Sequence, residues 1–129
     1  MAYKFPDNLH YADTHEYVFG EKGLFKIGIS EFAIDQLGDI VFVELTDSGA
    51  TLQKGETFGT IESVKAVEEV YLPFSGKITS INDTVVDNPE LLQNDPIGEG
   101  WLVIFEPLST FSLEDLMTSE EYKSKVVPK

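Results

Sequence analysis

Short segments rich in β-branched and aromatic residues dominate this chain, and clusters of turn residues separate them. Seven segments have the length and composition of strands: EYVFG, LFKIGIS, DIVFVEL, ETFGTIES, VEEVYL, GKITSI and WLVIFE. The separating clusters include DSG, QKGE, PFSG and GEG. Short strands at this spacing predict a β-sandwich or a barrel-like fold.

Two segments in the first three quarters of the chain carry helix signals instead. In SEFAIDQLGD, Ser30 can cap the first turn, and Gly38 can end the helix in a left-handed conformation. In DNPELLQND, Asn88 followed by Pro89 is typical of a cap and a first-turn proline. This second segment predicts one or two helical turns.

A third helical segment, SLEDLMTSEEYKS, lies near the C-terminus. Ser112 and Asp115 have the spacing of a capping box, and apolar residues follow on one face. A C-terminal helix is therefore expected over about residues 112–124. Because 129 residues is the size of one ordinary domain, the chain is expected to be a single domain, 1–129.

Composition narrows the possible functions. A hydrophobic content of 42% and a charged content of 25% are typical of a soluble globular protein, and no apolar run approaches a membrane span. The net charge of −14 disfavours nucleic acid and membrane partners, since both bind cationic side chains. The same charge favours a monomer, and it suits either basic protein partners or solubility alone. With no cysteine, disulfides, zinc–thiolate sites and a thiol nucleophile are excluded.

The string THEYV contains a His–Glu pair, His15 and Glu16, that could act as acid and base in a hydrolase or isomerase. Adjacent residues of a strand point to opposite faces, which favours a structural histidine instead. The second histidine of a zinc-binding HExxH motif is missing, and no calcium loop or phosphate-binding glycine loop occurs. No metal site is expected, and a plain β-rich interaction module stays possible.

One lysine has an unusual setting in GTIESVKAVEEVYLPFSG. Lys65 stands between Val64 and Ala66, with glutamates on both sides. Carboxylates favour the charged ammonium, which is not a nucleophile, so a catalytic amine is disfavoured. An exposed lysine is well placed for enzymatic acylation, because that reaction depends on access. From the residues alone, a solvated charge and a modification site both stay open.

Several specific strings occur together and in order: HEYV, GLFKIGIS, LGDIVFVEL, GTIESVKAVEEVYLPFSGKI, NPELLQNDPIGEGWL and EEYK. In this combination the chain resembles the H-protein family of the glycine cleavage system over nearly its whole length. The ESVKA string is the most specific part, since other lipoyl domains usually frame their lysine with Asp-Lys-Ala and biotinyl domains with Met-Lys-Met. The resemblance implies a mainly β, lipoyl/biotinyl-type barrel-sandwich hybrid of two antiparallel sheets, with short helices and Lys65 at a tight hairpin tip.

The implied function is that of a carrier, not an enzyme, with lipoic acid joined to Lys65 through an amide. Its arm would take an aminomethyl group from glycine decarboxylase (P-protein) to the aminomethyltransferase (T-protein), and electrons to dihydrolipoyl dehydrogenase (L-protein). A lipoylating enzyme would attach the arm. The alternative on the same scaffold is a lipoyl relay toward 2-oxoacid dehydrogenases. The expected location is cytoplasmic for a bacterial protein and the mitochondrial matrix for a mature eukaryotic one.

The resemblance also implies roles for individual residues, none of them catalytic or metal-binding. Residues expected to guide the lipoylating enzyme are Glu62, Ser63, Val64 and Ala66. Residues expected to form a pocket for the arm are Thr14, Glu16, Ile29 and Glu69. In that pocket, the carboxylate of Glu16 or Glu69 could pair with the ammonium of the carried group. The GEGW string is expected to be structural.

Overall fold

The computed structural model describes residues 3–21, 23–108, 113 and 116–127. The described strands are β1 (His10–Tyr11), β2 (Glu16–Glu21), β3 (Leu24–Ile29), β4 (Ile40–Leu45), β5 (Thr51–Leu52), β6 (Thr57–Ser63), β7 (Val67–Tyr71), β8 (Gly76–Ile81), β9 (Val103–Pro107) and β10 (Met117–Thr118). The described helices are α1 (Glu31–Leu37), α2 (Asp83–Asp87), α3 (Leu91–Asn94) and α4 (Ser119–Val126).

The strands form two antiparallel sheets, which confirms the predicted fold class. The larger sheet has the order β10-β1-β2-β3-β9-β8-β5, and the smaller one has the order β4-β6-β7. Each of the seven predicted segments contains a strand. The three unpredicted strands, β1, β5 and β10, have two residues each, so they are too short to produce a sequence pattern.

The main core lies where the two sheets face each other. Phe58 and Ile61 from β6 belong to the same buried cluster as Ile27, Ile78 and Phe105 from the larger sheet. All five side chains are at most 1% exposed. This shared core fixes the orientation of the smaller sheet, which carries Lys65 at one of its turns.

A second buried cluster packs the C-terminal helix against the larger sheet. The rings of Tyr11 and Tyr122 stack with centroids 4.2 Å apart and planes 3° apart. Tyr17 lies in the same cluster and donates its hydroxyl hydrogen bond to the carbonyl of Pro96 at 2.8 Å. Helix α4 is therefore held by aromatic packing.

Helix α1 confirms the signals read from the sequence. The Ser30 hydroxyl accepts a hydrogen bond from the backbone N–H of Ala33 at 3.1 Å, and Gly38 ends the helix with a φ of 87°. The short helix predicted in DNPELLQND is present as α3. Its predicted cap is wrong, because Glu90 is the N-cap of α3 and Asn88 is the C-cap of α2. Helix α2 was not predicted, since its five residues are too few to show a period.

The C-terminal helix begins later than predicted. The expected helix over about 112–124 is wrong at Met117 and Thr118, which pair with β1 as strand β10. The capping box is formed by Thr118 and Glu121. The Glu121 N–H donates to the Thr118 hydroxyl, and the Glu121 carboxylate accepts the Thr118 N–H. The predicted capping residues, Ser112 and Asp115, lie outside the described residues.

None of the helices in the described part of the chain is long and apolar enough to cross a bilayer. The longest of them, α4, has eight residues.

The GEGW string forms a loop held by two side chains, in agreement with its expected structural role. The Asp95 carboxylate accepts hydrogen bonds from the N–H groups of Gly98 at 3.1 Å and Glu99 at 2.9 Å. The Asn82 amide donates to the carbonyls of Glu99 at 2.8 Å and Trp101 at 2.7 Å. Asn82 is also the N-cap of α2 and is only 6% exposed.

Replacing Asn82 with alanine should destabilise the protein, because the change removes a helix cap and two buried donors. We expect Asn82→Ala to lower the free energy of unfolding by about 2 kcal/mol, measured by urea denaturation. The exposed Asn94→Ala variant is the matched control. Equal losses in the two variants would contradict the assigned role of Asn82.

Candidate functional site

Lys65 lies at the tip of the hairpin formed by β6 and β7. The last paired residues before the tip are Glu62 and Val67. Val64 and Lys65 occupy the tip, and both side chains are exposed. The hairpin therefore presents the lysine amine to solvent at the end of a paired, well-anchored element.

The Ser63 side chain closes this turn. Its hydroxyl accepts hydrogen bonds from the N–H groups of Lys65 at 3.2 Å and Ala66 at 3.1 Å. The backbone N–H of Ser63 also donates to the Ala66 carbonyl at 2.8 Å. Because Ser63 is only 5% exposed, these bonds are protected from competing water.

The tip is also tied to the loop that precedes β4. The N–H of Val64 donates to the Asp39 carbonyl at 3.0 Å. Next to Asp39, Gly38 has no side chain, and a Cβ placed there would lie 3.8 Å from Cε of Lys65. The lysine side chain thus passes directly over the end of helix α1.

A cavity of about 310 Å³ lies beside the lysine, between helix α1 and the smaller sheet. Its apolar surface comes from buried side chains, including Ile29 (4% exposed) and Ile61 (1% exposed). Polar and charged groups are also present in its lining. The full lining is Thr14, His15, Ile29, Phe32, Ala33, Gln36, Leu37, Ile61, Lys65, Ala66, Glu68, Glu69 and Val70.

Three of the four residues expected in the arm pocket line this cavity together with Lys65. They are Thr14, Ile29 and Glu69. Glu69 contributes to the lining from β7, one of the two edge strands of the smaller sheet. The fourth residue, Glu16, is absent from the lining.

Glu16 is completely buried and lines a second cavity, of about 510 Å³, that shares Thr14 with the first. Its carboxylate accepts hydrogen bonds from the Thr14 hydroxyl and from the N–H of Tyr71, the latter at 2.8 Å. Burial raises the pKa of the Glu16 carboxyl, while these hydrogen bonds oppose the rise. Thr14 therefore separates the buried carboxylate from the lysine cavity.

His15 lies in the lysine cavity but does not pair with Glu16. Its Nδ1 is 2.7 Å from the hydroxyl of Tyr122, which in turn is 2.6 Å from the Ser30 hydroxyl. Burial lowers the pKa of the His15 imidazole, which favours its neutral form. The two residues have separate partners, so the acid–base pair considered from THEYV does not form.

The backbone of His15 is unusual, since its φ of 81° is the one positive φ of a non-glycine residue in the described chain. Such a conformation costs about 1–3 kcal/mol and persists where the surroundings enforce it. The hydrogen bond to Tyr122 is one such constraint. The structure thus connects the C-terminal helix to the wall of the lysine cavity.

Sequence reasoning missed the contribution of helix α1 to the cavity. Phe32, Ala33, Gln36 and Leu37 all line it. Their spacing of three and four residues places them on one helical face, which was the available signal. A face of this kind ordinarily indicates core packing, so the pattern alone does not predict a cavity.

No group of three or more His, Asp or Glu side chains in the described ranges is arranged to hold a metal ion.

Comparison with known proteins assigns the chain to a family. The family model described as glycine cleavage H-protein matches residues 9–129. The chain belongs to the glycine cleavage H-protein family. Membership in this family makes it a carrier component of the glycine cleavage system, not a catalyst.

Individual H proteins agree with this assignment. The glycine cleavage system H protein of Prochlorococcus marinus (strain MIT 9215) is 81% identical over 129 residues, which is the full length of both chains. The protein of the same name from strain NATL2A is 56% identical over 126 residues, covering 98% of each chain. A crystal structure of the H protein from Mycobacterium marinum superimposes with a TM-score of 0.85 at 34% identity, covering 93% of this chain and 97% of that one.

The buried carboxyl of Glu16 should make stability depend on pH. Its pKa in the folded state lies above the ordinary value of 4.5, so the native protein holds this proton more tightly than the unfolded chain. The tighter binding of this proton therefore stabilises the native protein fully below about pH 4.5, and the stabilisation is lost as the pH rises through the folded pKa of Glu16.

Glu16→Gln should remove this loss, so its stability relative to the wild type should improve as the pH rises from 4 to 7. Urea denaturation at each pH measures the difference. The exposed Glu44→Gln variant is the control for removing one carboxylate from the surface. A slope in Glu16→Gln equal to that of the wild type would show that the Glu16 pKa is not raised.

Proposed function

We propose that this H protein carries a lipoyl group on Lys65 and that the 310 Å³ cavity shelters the arm during glycine cleavage. The observation that carries the proposal is the position of Lys65, exposed at a closed hairpin tip and directly beside a partly apolar cavity. Family membership over residues 9–129 and the ESVKA string support it.

Attachment of the arm is an acyl transfer to the lysine. The Lys65 amine, after losing a proton to the lipoylating enzyme or solvent, attacks the carbonyl carbon of lipoyl adenylate. An amide C–N bond forms, the bond from that carbon to the phosphate oxygen breaks, and AMP leaves. The product has no charge at the lysine nitrogen and an arm of roughly 14 Å by bond-length arithmetic.

The residues of the cavity fit such an arm. Its volume of about 310 Å³ lies at the lower end of the range for small-molecule sites, which is roughly 300–1,000 Å³. Ile29, Leu37 and Ile61 offer apolar surface to the methylene groups. When bound, the lipoyl group supplies the chemistry, since its dithiolane sulfurs carry the aminomethyl group and then electrons between enzymes.

A carboxylate in this cavity suits the positive charge of a carried amine. Of the two glutamates considered from the sequence, only Glu69 lines the cavity that contains Lys65. Strand alternation places Glu69 on the same face of β7 as Val67, so it contributes to the lining from the edge of the sheet, beside Glu68 on the cavity face. Glu16 lies behind Thr14, and its oxygens already accept two hydrogen bonds. We propose Glu69 as the direct partner of the ammonium, with Thr14 and Glu16 as supporting groups.

We propose that the rest of the chain presents the lipoyl arm to partner enzymes. We propose that residues 1–129 form one domain that acts as a monomer, since a net charge of −14 opposes self-association. The charge suits successive docking to glycine decarboxylase, the aminomethyltransferase and dihydrolipoyl dehydrogenase through basic surfaces. The bacterial origin of the curated relatives supports a cytoplasmic location.

Mass spectrometry of the intact protein from its native source tests the attachment site. The wild type should carry one lipoyl group, and Lys65→Arg should carry none, because a guanidinium does not form the amide. Lys54→Arg, at another exposed lysine, should remain fully modified. Unmodified wild-type protein in cells whose other lipoyl proteins are modified would refute the proposed function.

The role of Glu69 is tested by following the aminomethyl group. Without the aminomethyltransferase, water hydrolyses that group to formaldehyde and ammonia and leaves the arm as a dithiol. This hydrolysis should be about tenfold faster in Glu69→Gln, since a charge-assisted hydrogen bond is removed. Lipoylation should be unchanged, and the exposed Glu106→Gln variant should behave as the wild type. Equal ammonia release in both variants would exclude Glu69 as the ammonium partner.

A further inference from the structure

Exposed apolar side chains are concentrated around Lys65. Among the described residues, seven large apolar side chains are exposed, and four of them lie at the hairpin tip, at the start of β7 or on the adjacent strand β4. These four are Val41 (52% exposed), Phe42 (48%), Val64 (69%) and Val67 (60%). We call them the tip patch. Such clustering is typical of an interaction surface, whereas scattered exposed apolar residues are ordinary.

The register of the smaller sheet places Phe42 and Val67 of the tip patch on one face. Phe42 pairs with Glu62, and Glu62 pairs with Val67, so these three side chains form one row across β4, β6 and β7. A β-bulge between Ile40 and Phe42 adds Val41 to the exposed residues. Bulges of this kind redirect side chains and are frequent beside functional sites.

The arm cavity lies on the other face of the same sheet. Ile61 and Val70 line that cavity, and they alternate along their strands with residues of the exposed row. A partner bound to the tip patch would therefore leave the cavity accessible. One face of the hairpin is therefore suited to sheltering the arm, and the other is suited to binding a partner protein.

We propose that the tip patch is the docking surface for the lipoylating enzyme, which would present an apolar depression with a rim of Lys and Arg. This inference rests on the proposed function, since it assumes that Lys65 is lipoylated. It assigns docking to β4, outside the ESVKA string, through Val41 and Phe42.

The short length of the unmodified lysine side chain favours the lipoylating enzyme over the other enzymes as the partner of the tip patch. Before modification, the group to be acylated is the amine at the end of the Lys65 side chain, about 6 Å from the backbone by bond-length arithmetic. The enzyme that acylates it must approach to within that distance, so it contacts the residues around the tip. Enzymes that act on the finished arm have roughly 14 Å available and can dock further away.

Charge around the tip patch specifies the chemistry of the partner. Glu62 lies in the centre of the exposed row, and Glu44 and Asp39 flank it on β4 and the preceding loop. All three are exposed. Carboxylates among and beside apolar side chains accelerate association with a basic surface, while the apolar side chains contribute most of the binding energy.

The test is the kinetics of lipoylation of the unmodified full-length protein by a lipoate–protein ligase with lipoate and ATP. The test variants are the double variant Val41→Thr/Val67→Thr and the single variant Phe42→Ser. Threonine keeps the β-branched shape and strand propensity of valine while adding a hydroxyl. Val127→Thr and Leu108→Ser are matched controls, because both residues are exposed apolar side chains outside the tip patch.

We expect kcat/KM to fall about tenfold in each test variant, mainly through KM, with thermal midpoints equal to that of the wild type. The control variants should remain within about twofold of the wild type. Glu44→Gln should reduce the salt dependence of kcat/KM, since a rim charge acts on association.

Lipoylation of the test variants at the control rate would overturn the proposal, and so would a loss confined to kcat. Unchanged lipoylation with slower glycine-dependent turnover would also overturn it, because the tip patch would then serve another enzyme. Sedimentation of the wild type as a dimer that the test variants abolish would assign the surface to a second copy instead. Failure of the ligase to modify wild-type protein, while it modifies another lipoyl domain, would contradict the proposed function itself.

Discussion

The buried hydroxyl of Ser63 is the constraint on which the functional end of this protein depends. The turn at Lys65 contains no Gly, Asn or Pro, so backbone freedom does not explain its tightness. The hydroxyl instead accepts the N–H groups of Lys65 and Ala66, while Asp39 holds Val64 from outside the hairpin. Side-chain and tertiary hydrogen bonds thus fix a turn that would otherwise be one of many conformations.

A fixed turn gives the lysine two distinct sides. The residues of a strand alternate between the two faces of a sheet, so each strand of the hairpin contributes to both. Ile61 and Val70 face the cavity, whereas Val67 lies in the exposed apolar row with Phe42. A carrier needs both properties, since it must shelter its cargo and still bind enzymes that release it quickly.

Hydrogen bonds that hold the helices in place also hold the wall of the lysine cavity. Helix α1 is capped by Ser30, whose hydroxyl also contacts Tyr122 of the C-terminal helix. The same tyrosine holds His15, the residue with the positive φ, at the edge of the lysine cavity. The contacts of the Tyr122 hydroxyl with Ser30 and His15 therefore connect the C-terminal helix to the site, although none of these residues is expected to react.

The sequence by itself determined the β-rich class, the seven longer strands and helix α1, and it singled out Lys65 as the candidate site, because hydrophobic pattern, caps and a specific motif are local. It did not determine the two-residue strands or the start of α4, since β10 exists only through pairing with β1. The site was likewise determined in part by local sequence and in part by tertiary packing. Thr14, Ile29 and Glu69 were named from the motif, but tertiary packing decided that they share a cavity with Lys65 while Glu16 lies behind Thr14. Distances between segments far apart in the chain arise only when the two sheets pack on a common core.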